Sequence, residues 1–458
     1  MRAALISALS LPVAALAQDQ EEAQPELSEN TSEGLEKLRP MLDAKDWTGA
    51  ITLVNTLLAK AGPDSYDTAF LSDTLGKLYL QKGEYDKAVP PMEAALRLSE
   101  RHPKFFRAST VQDMRYYLAQ IYYQNSSAVK NPAQQLQGFS KANAFLELWL
   151  ANSKRPNSES LQQDAVLFHA MLLYNMAVIN PEKIDTSILA KAEAEVDRGL
   201  HMSAHPKENL YTLLLAICQQ KNDYVRASEI LELLVHQYPN KKEYWSQLVS
   251  VYLNLAQDKN EDKSREYNIR GIITIERAQA LGFMKSPKEN YNLVGVYFNV
   301  GQFGHATELL YSGLKSGAID SEQKNWELLA YSYQQVDKPA QAIEVLKEAS
   351  KLFPASGQLD YQIAQIYYGI SKSEDAYRAL NSAVAKDHLD KPGTVFGFLA
   401  YVSFELTKYE EALAAAEKAL TYPDSKNDTQ LPKLRQAVID AIKDRELQKA
   451  HTEALQKA

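Results

Sequence analysis

Few residues in this 458-residue chain have the types and spacing that chemistry requires. His201 and His205 stand one helical turn apart, a spacing at which two imidazoles can share a metal ion. Pro206 follows directly and no third ligand is evident, so neither a metal nor another cofactor is expected. Ser312-Gly-Leu-Lys315 matches the loose pattern of a serine nucleophile beside a lysine, but its flanks are helical and it reads as solvated helix surface. The carboxylates of Glu410 and Glu411 fall where a helix begins and serve its dipole. Cys218 is the single cysteine, which excludes an intramolecular disulfide. It lies at a core-facing position of Leu213-Leu-Leu-Ala-Ile-Cys218 and reads as a small buried hydrophobe rather than a reactive thiol. There is no Gly-rich phosphate loop, zinc-protease pair or nucleophile elbow. An enzyme is not expected.

The chemistry that remains is aromatic and amide. Tyrosines number 26, against 13 phenylalanines and 4 tryptophans. Tyr116, Gln120, Tyr123 and Gln124 fall on one helical face, as do Gln219 and Gln220. Further along come Tyr291, Phe298 and Asn299; Tyr331, Gln334 and Gln335; Tyr361, Gln365 and Tyr368; and Tyr401 and Phe404. Each set lies opposite the apolar residues of its own helix. An exposed tyrosine offers rigid contact area and a hydroxyl, and amides can pair with a peptide backbone. These residues form a candidate partner-binding groove. The competing reading makes the same tyrosines additional packing between helices. With few charges among them, the expected ligand is an extended or helical peptide rather than a charged polymer. The Lys/Asn clamp that holds a C-terminal carboxylate is not assembled, for Asn292 stands alone.

Positioning these residues requires a regular scaffold, and residues 287–420 supply one. Leu293, Leu329, Ile363 and Leu399 recur with Ala306, Ala342, Ala376 and Ala412, at a period of 34 to 36 residues. Small residues at fixed places and aromatics at others are the signature of a tetratricopeptide repeat, a helix, a turn and a second helix. Each unit has an apolar face that only a stacked neighbour can cover. The expected fold is an all-α tetratricopeptide solenoid of about ten helix pairs with a C-terminal capping helix. Regular repeats are assigned to residues 207–423 and degenerate ones to 33–206. Inserts at 125–137 and 257–266 are expected to form loops, and the cap occupies 424–458. Pro90-Pro91 falls early in a second helix, where it is expected to kink the helix or shift its start.

The N-terminus reads as a secretory signal over residues 1–17. Met1-Arg2 is followed by an apolar run to Ala14 and the small-x-small pattern Ala15-Leu-Ala17. Residues 18–32 are acidic and polar and read as a disordered leader. The mature chain is expected in the periplasm, with no membrane span after signal removal. A net charge of −8 without a basic run argues against nucleic acid.

Several stretches resemble more than a generic repeat. They are Lys241-Lys-Glu-Tyr-Trp-Ser-Gln-Leu248, Ala278-Gln-Ala-Leu-Gly-Phe-Met284, Ser312-Gly-Leu-Lys-Ser-Gly-Ala-Ile319, Asn325-Trp-Glu-Leu-Leu-Ala-Tyr-Ser-Tyr333 and His388-Leu-Asp-Lys-Pro-Gly-Thr394. Across roughly residues 207–423 the chain is similar to exported tetratricopeptide proteins that accompany TonB–ExbB–ExbD systems in gammaproteobacteria. That resemblance implies a periplasmic adaptor for TonB-dependent outer-membrane transport, including iron transport. It implies TonB, ExbB, ExbD or a TonB-dependent receptor as partner. The alternatives are a scaffold for envelope biogenesis or polysaccharide export, or an enzyme or a small-molecule or metal carrier on the same solenoid.

Overall fold

A computed structural model describes residues 25–152, 159–386 and 388–457, so the expected signal sequence and leader residues 18–24 lie outside the described residues. The chain divides into two compact units, Met1–Asp223 and Tyr224–Ala458. The described residues are all-α.

In the first unit, α1 (Glu29–Glu36), α2 (Leu38–Asp43) and α3 (Trp47–Leu58) form the opening repeat. The interruption at Lys37 follows from Pro40, which has no N–H to offer the Glu36 carbonyl. Next come α4 (Tyr66–Lys82), α5 (Tyr85–Arg101), α6 (Ala108–Ala128), α7 (Pro132–Asn152), α8 (Glu159–Ala177), α9 (Thr186–His201) and α10 (Glu208–Lys221). Consecutive helices pack from α3 through α10.

Three expectations are corrected here. The leader was drawn through Ser32, but Ser28 caps α1 and binds Asp67 through both its N–H and its hydroxyl, and Thr31 is buried with a 3.0 Å bond to the same carboxylate. Residues 125–137 are not a long loop. α6 continues to Ala128, and α7 starts at Pro132 with the Asn131 side chain accepting from the N–H groups of Ala133 and Gln134. Asn then Pro is a cap followed by a first helical residue, so the extra length lengthens both helices. The charged insert 257–266 is likewise largely helix, capped by Asn260. Pro90 and Pro91 lie inside α5, whose start stays at Tyr85.

The second unit contains α11 (Tyr224–Gln237), α12 (Lys242–Leu255), α13 (Glu261–Ala280), α14 (Pro287–Asn299), α15 (Phe303–Ser316), α16 (Gln323–Gln335), α17 (Pro339–Leu352), α18 (Gly357–Gly369), α19 (Ser373–Val384), α20 (Pro392–Glu405) and α21 (Tyr409–Leu420). The long α22 (Leu431–Lys457) packs along α21, where Arg435 and Arg445 pair with Glu417 and Glu410. Ala306, Ala342, Ala376 and Ala412 are fully buried, so the aligned small residues do sit where paired helices approach.

The turn inside each pair is closed in one way. Gly301, Asp337, Ser371 and Thr407 all adopt positive φ, between 55° and 71°. The next N–H then reaches back to Tyr297, Tyr333, Tyr367 and Ser403 carbonyls, each at 2.9 Å. This left-handed closure satisfies carbonyls at the end of the first helix. It leaves the first helices of successive pairs on one face.

Candidate functional site

Along the first helices of the second unit, buried and exposed positions alternate at helical spacing. On α14, Leu293, Val294 and Tyr297 are buried while Tyr291 and Phe298 are half-buried and Asn299 is exposed. Ser286 and Glu289 cap that helix reciprocally and Pro287 occupies its first turn, which fixes its direction. On α16, Trp326, Leu329 and Ala330 face the core, and Tyr331, Gln334 and Gln335 face outward.

The structure gathers the aromatic candidates into two clusters. Phe298 stacks on Tyr331 across α14 and α16, with centroids 6.1 Å apart and ring planes 16° apart. Phe298 also meets Phe303 edge-on at 5.3 Å. The second cluster lies on α18 and α20. Tyr368 meets Phe398 and Tyr401 edge-on at 5.3 and 6.0 Å, and Tyr361 meets Phe398 at 6.3 Å. Gln365 donates to the Tyr361 hydroxyl at 3.0 Å. Such edge-on pairs hold rings in fixed orientations. Tyr331 and Tyr401 stay 48% and 47% exposed, so each cluster shows solvent a ring that a half-buried ring supports. Tyr291 packs against the core and Phe404 lies 5.8 Å from Tyr409, so both contribute mainly to packing.

Two features of this face were not anticipated. Phe398 is half-buried at the centre of the second cluster. Its spacing of three from Tyr401 puts both on one helix face and was the available signal. Glu405 supplies a carboxylate, accepting from the Tyr368 hydroxyl at 3.0 Å and from Ser373 at 3.3 Å. The Tyr368 hydroxyl is consequently held above its usual range, by its 3.4 Å contact with the Tyr401 hydroxyl, by burial and by the Glu405 charge. Burial raises Tyr361 as well.

In the first unit the candidate tyrosines meet rings of neighbouring helices. Tyr116 lies 5.0 Å from Trp149 and meets Phe168 at 6.3 Å, and burial pushes its hydroxyl up to about 12. Tyr123 stacks on Phe139 at 5.5 Å, meets Phe168 at 5.3 Å and accepts from the Asn175 amide at 3.2 Å. Gln120 is half-buried beside Tyr116. These residues join α6 to α7 and α8.

The catalytic look-alikes fall into structural roles. His201 Nδ1 lies 2.6 Å from the Asp197 carbonyl, Lys315 pairs with Glu348 and Cys218 is buried. Among the described residues no three His, Cys, Asp or Glu side chains are placed to hold a metal, and no helix is long and apolar enough to cross a membrane.

Family models of the tetratricopeptide repeat match residues 73–102 and 212–241. The BBSome complex member BBS4 homolog of Drosophila melanogaster is 22% identical over 274 residues, which are 58% of this chain and 52% of that protein. The chain thus spans about half the length of the curated relative it matches. Among solved structures, a MamA protein is similar with a TM-score of 0.31 and 17% identity, over 40% of this chain and 94% of its own. The Cut9-Hcn1 hetero-tetramer of the APC/C is similar with a TM-score of 0.28 and 14% identity, over 91% of each chain. The two matched stretches are tetratricopeptide repeats in an all-α chain of paired helices, and repeats of this kind generally act as protein-binding scaffolds.

Proposed function

We propose that this protein is a non-enzymatic scaffold that seats segments of partner proteins on the aromatic face of α14, α16, α18 and α20. The observation that carries this reading is the pair of ring clusters, each with an exposed tyrosine braced by a half-buried aromatic. Braced rings have little side-chain freedom left to lose, so contact with them is favourable at small entropic cost. Gln335, Gln365 and Asn299 add amide partners for a peptide backbone, and Glu405 adds an acceptor.

The setting we propose is the periplasm, reached through the signal at residues 1–17. The role is that of an adaptor in TonB-dependent outer-membrane transport, supported by the resembling stretches between Lys241 and Thr394. Affinity capture from cross-linked envelope extracts tests both parts. TonB, ExbB, ExbD or a TonB-dependent receptor should be recovered with the parent and lost with a Tyr331→Ala, Tyr401→Ala double variant. Recovery of none of these proteins overturns the transport role. Equal recovery with parent and variant overturns the site. Retention of the full-length chain in the cytoplasm on fractionation overturns the periplasmic setting.

A further inference from the structure

Tyrosine–glutamate pairs recur through this chain, commonly with a basic group beside them. The Tyr122 hydroxyl donates to Glu93 at 2.6 Å, and Lys141 Nζ stands 5.0 Å over that ring. Tyr252 donates to Glu232, whose carboxylate lies 3.5 Å from the Arg277 guanidinium. Tyr297 bonds Glu276 and has the His305 imidazole stacked on its ring at 5.5 Å. Tyr377 bonds Glu411, with Lys408 Nζ 3.6 Å over its ring. A cation is attracted to the electron-rich face of a tyrosine, and a carboxylate at the rim adds its own charge to that attraction. On the aromatic face the pair is Tyr368 and Glu405, and it differs from these four. Among the described residues no lysine, arginine or histidine is bonded to Glu405 or stands over the Tyr368 or Tyr401 ring, although Lys372 is next in sequence to Ser373. The Glu405 side chain is exposed, and the Tyr368 and Ser373 hydroxyls each hold one of its oxygens. A carboxylate has about four acceptor positions, so roughly two remain. Tyr401 lies one turn before Glu405 on α20, keeps about half its surface in water and crosses the Tyr368 ring at 78°. Two crossed rings and a fixed negative charge share this part of the face.

We propose that a partner segment on the aromatic face, whose seating there is the premise, carries an arginine that lies against Tyr401 and pairs with Glu405. The planar guanidinium can stack on the exposed ring while its N–H groups donate to the remaining acceptor positions of the carboxylate. A lysine ammonium is a compact, strongly hydrated charge and does not combine the two contacts as well. Because the Tyr368 and Ser373 hydroxyls already hold the carboxylate, little side-chain freedom is lost when the arginine arrives. Charge complementarity favours the same occupant. On the second helices of these repeats, Glu374, Glu410 and Glu417 are paired with Lys408, Arg445 and Arg435. Glu405 is left to a cation from outside the chain.

The test selects random phage-displayed peptides on the immobilised full chain and keeps those that no longer bind Tyr401→Ala. The kept sequences should share an arginine at one position. Made as fluorescent synthetic peptides, they should bind about tenfold more weakly when that arginine becomes citrulline, which keeps the shape and loses the charge. Lysine in its place should weaken binding several-fold. In Glu405→Gln, whose amide oxygen can still accept from Tyr368, the arginine and citrulline forms should bind within about twofold of each other. The citrulline comparison uses the parent chain and does not depend on how any variant folds. Kept peptides without a common arginine overturn the proposal, as does citrulline that binds the parent as tightly as arginine. An undiminished preference for arginine in Glu405→Gln overturns it as well. Each of these results leaves the seating of segments on the aromatic face intact. Lysine that binds as tightly overturns the choice of arginine. If no selected peptide depends on Tyr401, the seating on this cluster falls and the arginine site falls with it.

Discussion

Tyr331 and Tyr297 occupy first helices of adjacent repeats, and replacing each by alanine separates a binding surface from a core. Tyr297 is 5% exposed and its hydroxyl bonds Glu276. Truncating a buried aromatic of this kind removes transfer energy and leaves a cavity, together about 3–5 kcal/mol. Tyr331 is 48% exposed. About 100 Å² of it is covered, chiefly by Phe298, which at ~25 cal/mol per Å² is an upper bound of about 2.5 kcal/mol. Part of that area is polar, and alanine returns about 0.5 kcal/mol of helix propensity, so the net loss is about 1–1.5 kcal/mol. Urea unfolding followed by far-UV circular dichroism reads the difference. Tyr297→Ala should lower the midpoint of the second unit's transition about threefold more than Tyr331→Ala. Yet only Tyr331→Ala should weaken partner capture while the fold stays intact. Equal midpoint losses would refute the separation of layers, because Tyr331 would then be core.

Four further outcomes follow from particular contacts. A Cβ on Gly357 would lie 2.5 Å from the Ala383 carbonyl oxygen, whereas one on Gly304 meets nothing within 4 Å. Gly357→Ala should therefore lower the melting temperature, and Gly304→Ala should raise stability by about 0.5–1 kcal/mol. Thr407 is β-branched at φ 59°, so Thr407→Gly should gain roughly 0.5 kcal/mol in urea titration after the extra freedom of the unfolded chain is counted. Burial raises the Asp67 carboxyl, but bonds from Ser28 and Thr31 outweigh it and hold the group low. Its contribution is therefore present above the unfolded value of about 3.9 and lost as pH falls through the folded one. Proteolysis near α1 should accelerate in that acid window and, in Asp67→Asn, at neutral pH as well. Asp73 has the opposite sign. Its raised folded value means that ionisation opposes folding above the unfolded value, so Asp73→Asn should unfold at higher urea at pH 7, with the gain gone near pH 3.

The repeat was legible in the sequence because its packing contacts are local and recur. Ala306, Ala342, Ala376 and Ala412 each meet the same requirement for a small side chain where two helices cross, so one rule reads all four. The turns were less legible because only Gly301 among the four second-unit positions carries the residue its backbone favours. Asp337, Ser371 and Thr407 hold the same conformation through the hydrogen bonds that follow it, which no single position reveals. Asn131-Pro132 was misread for a related reason, since the pair punctuates loops and starts helices alike and only the capping bonds distinguish the two.

The candidate face depended on information that no single repeat contains. Tyr116 and Tyr331 look alike on their own helices, each opposite an apolar stripe. Trp149 and Phe168 lie against Tyr116, whereas Tyr331 stacks on Phe298 and keeps about half of its surface in water. How much of a tyrosine is covered is thus set by the helix beside it. The same logic makes each ring cluster a property of two repeats. Phe398 on α20 orients Tyr361 and Tyr368 on α18, and Phe298 on α14 orients Tyr331 on α16. Truncating Phe398 or Phe298 should therefore loosen a tyrosine one repeat away and weaken partner capture.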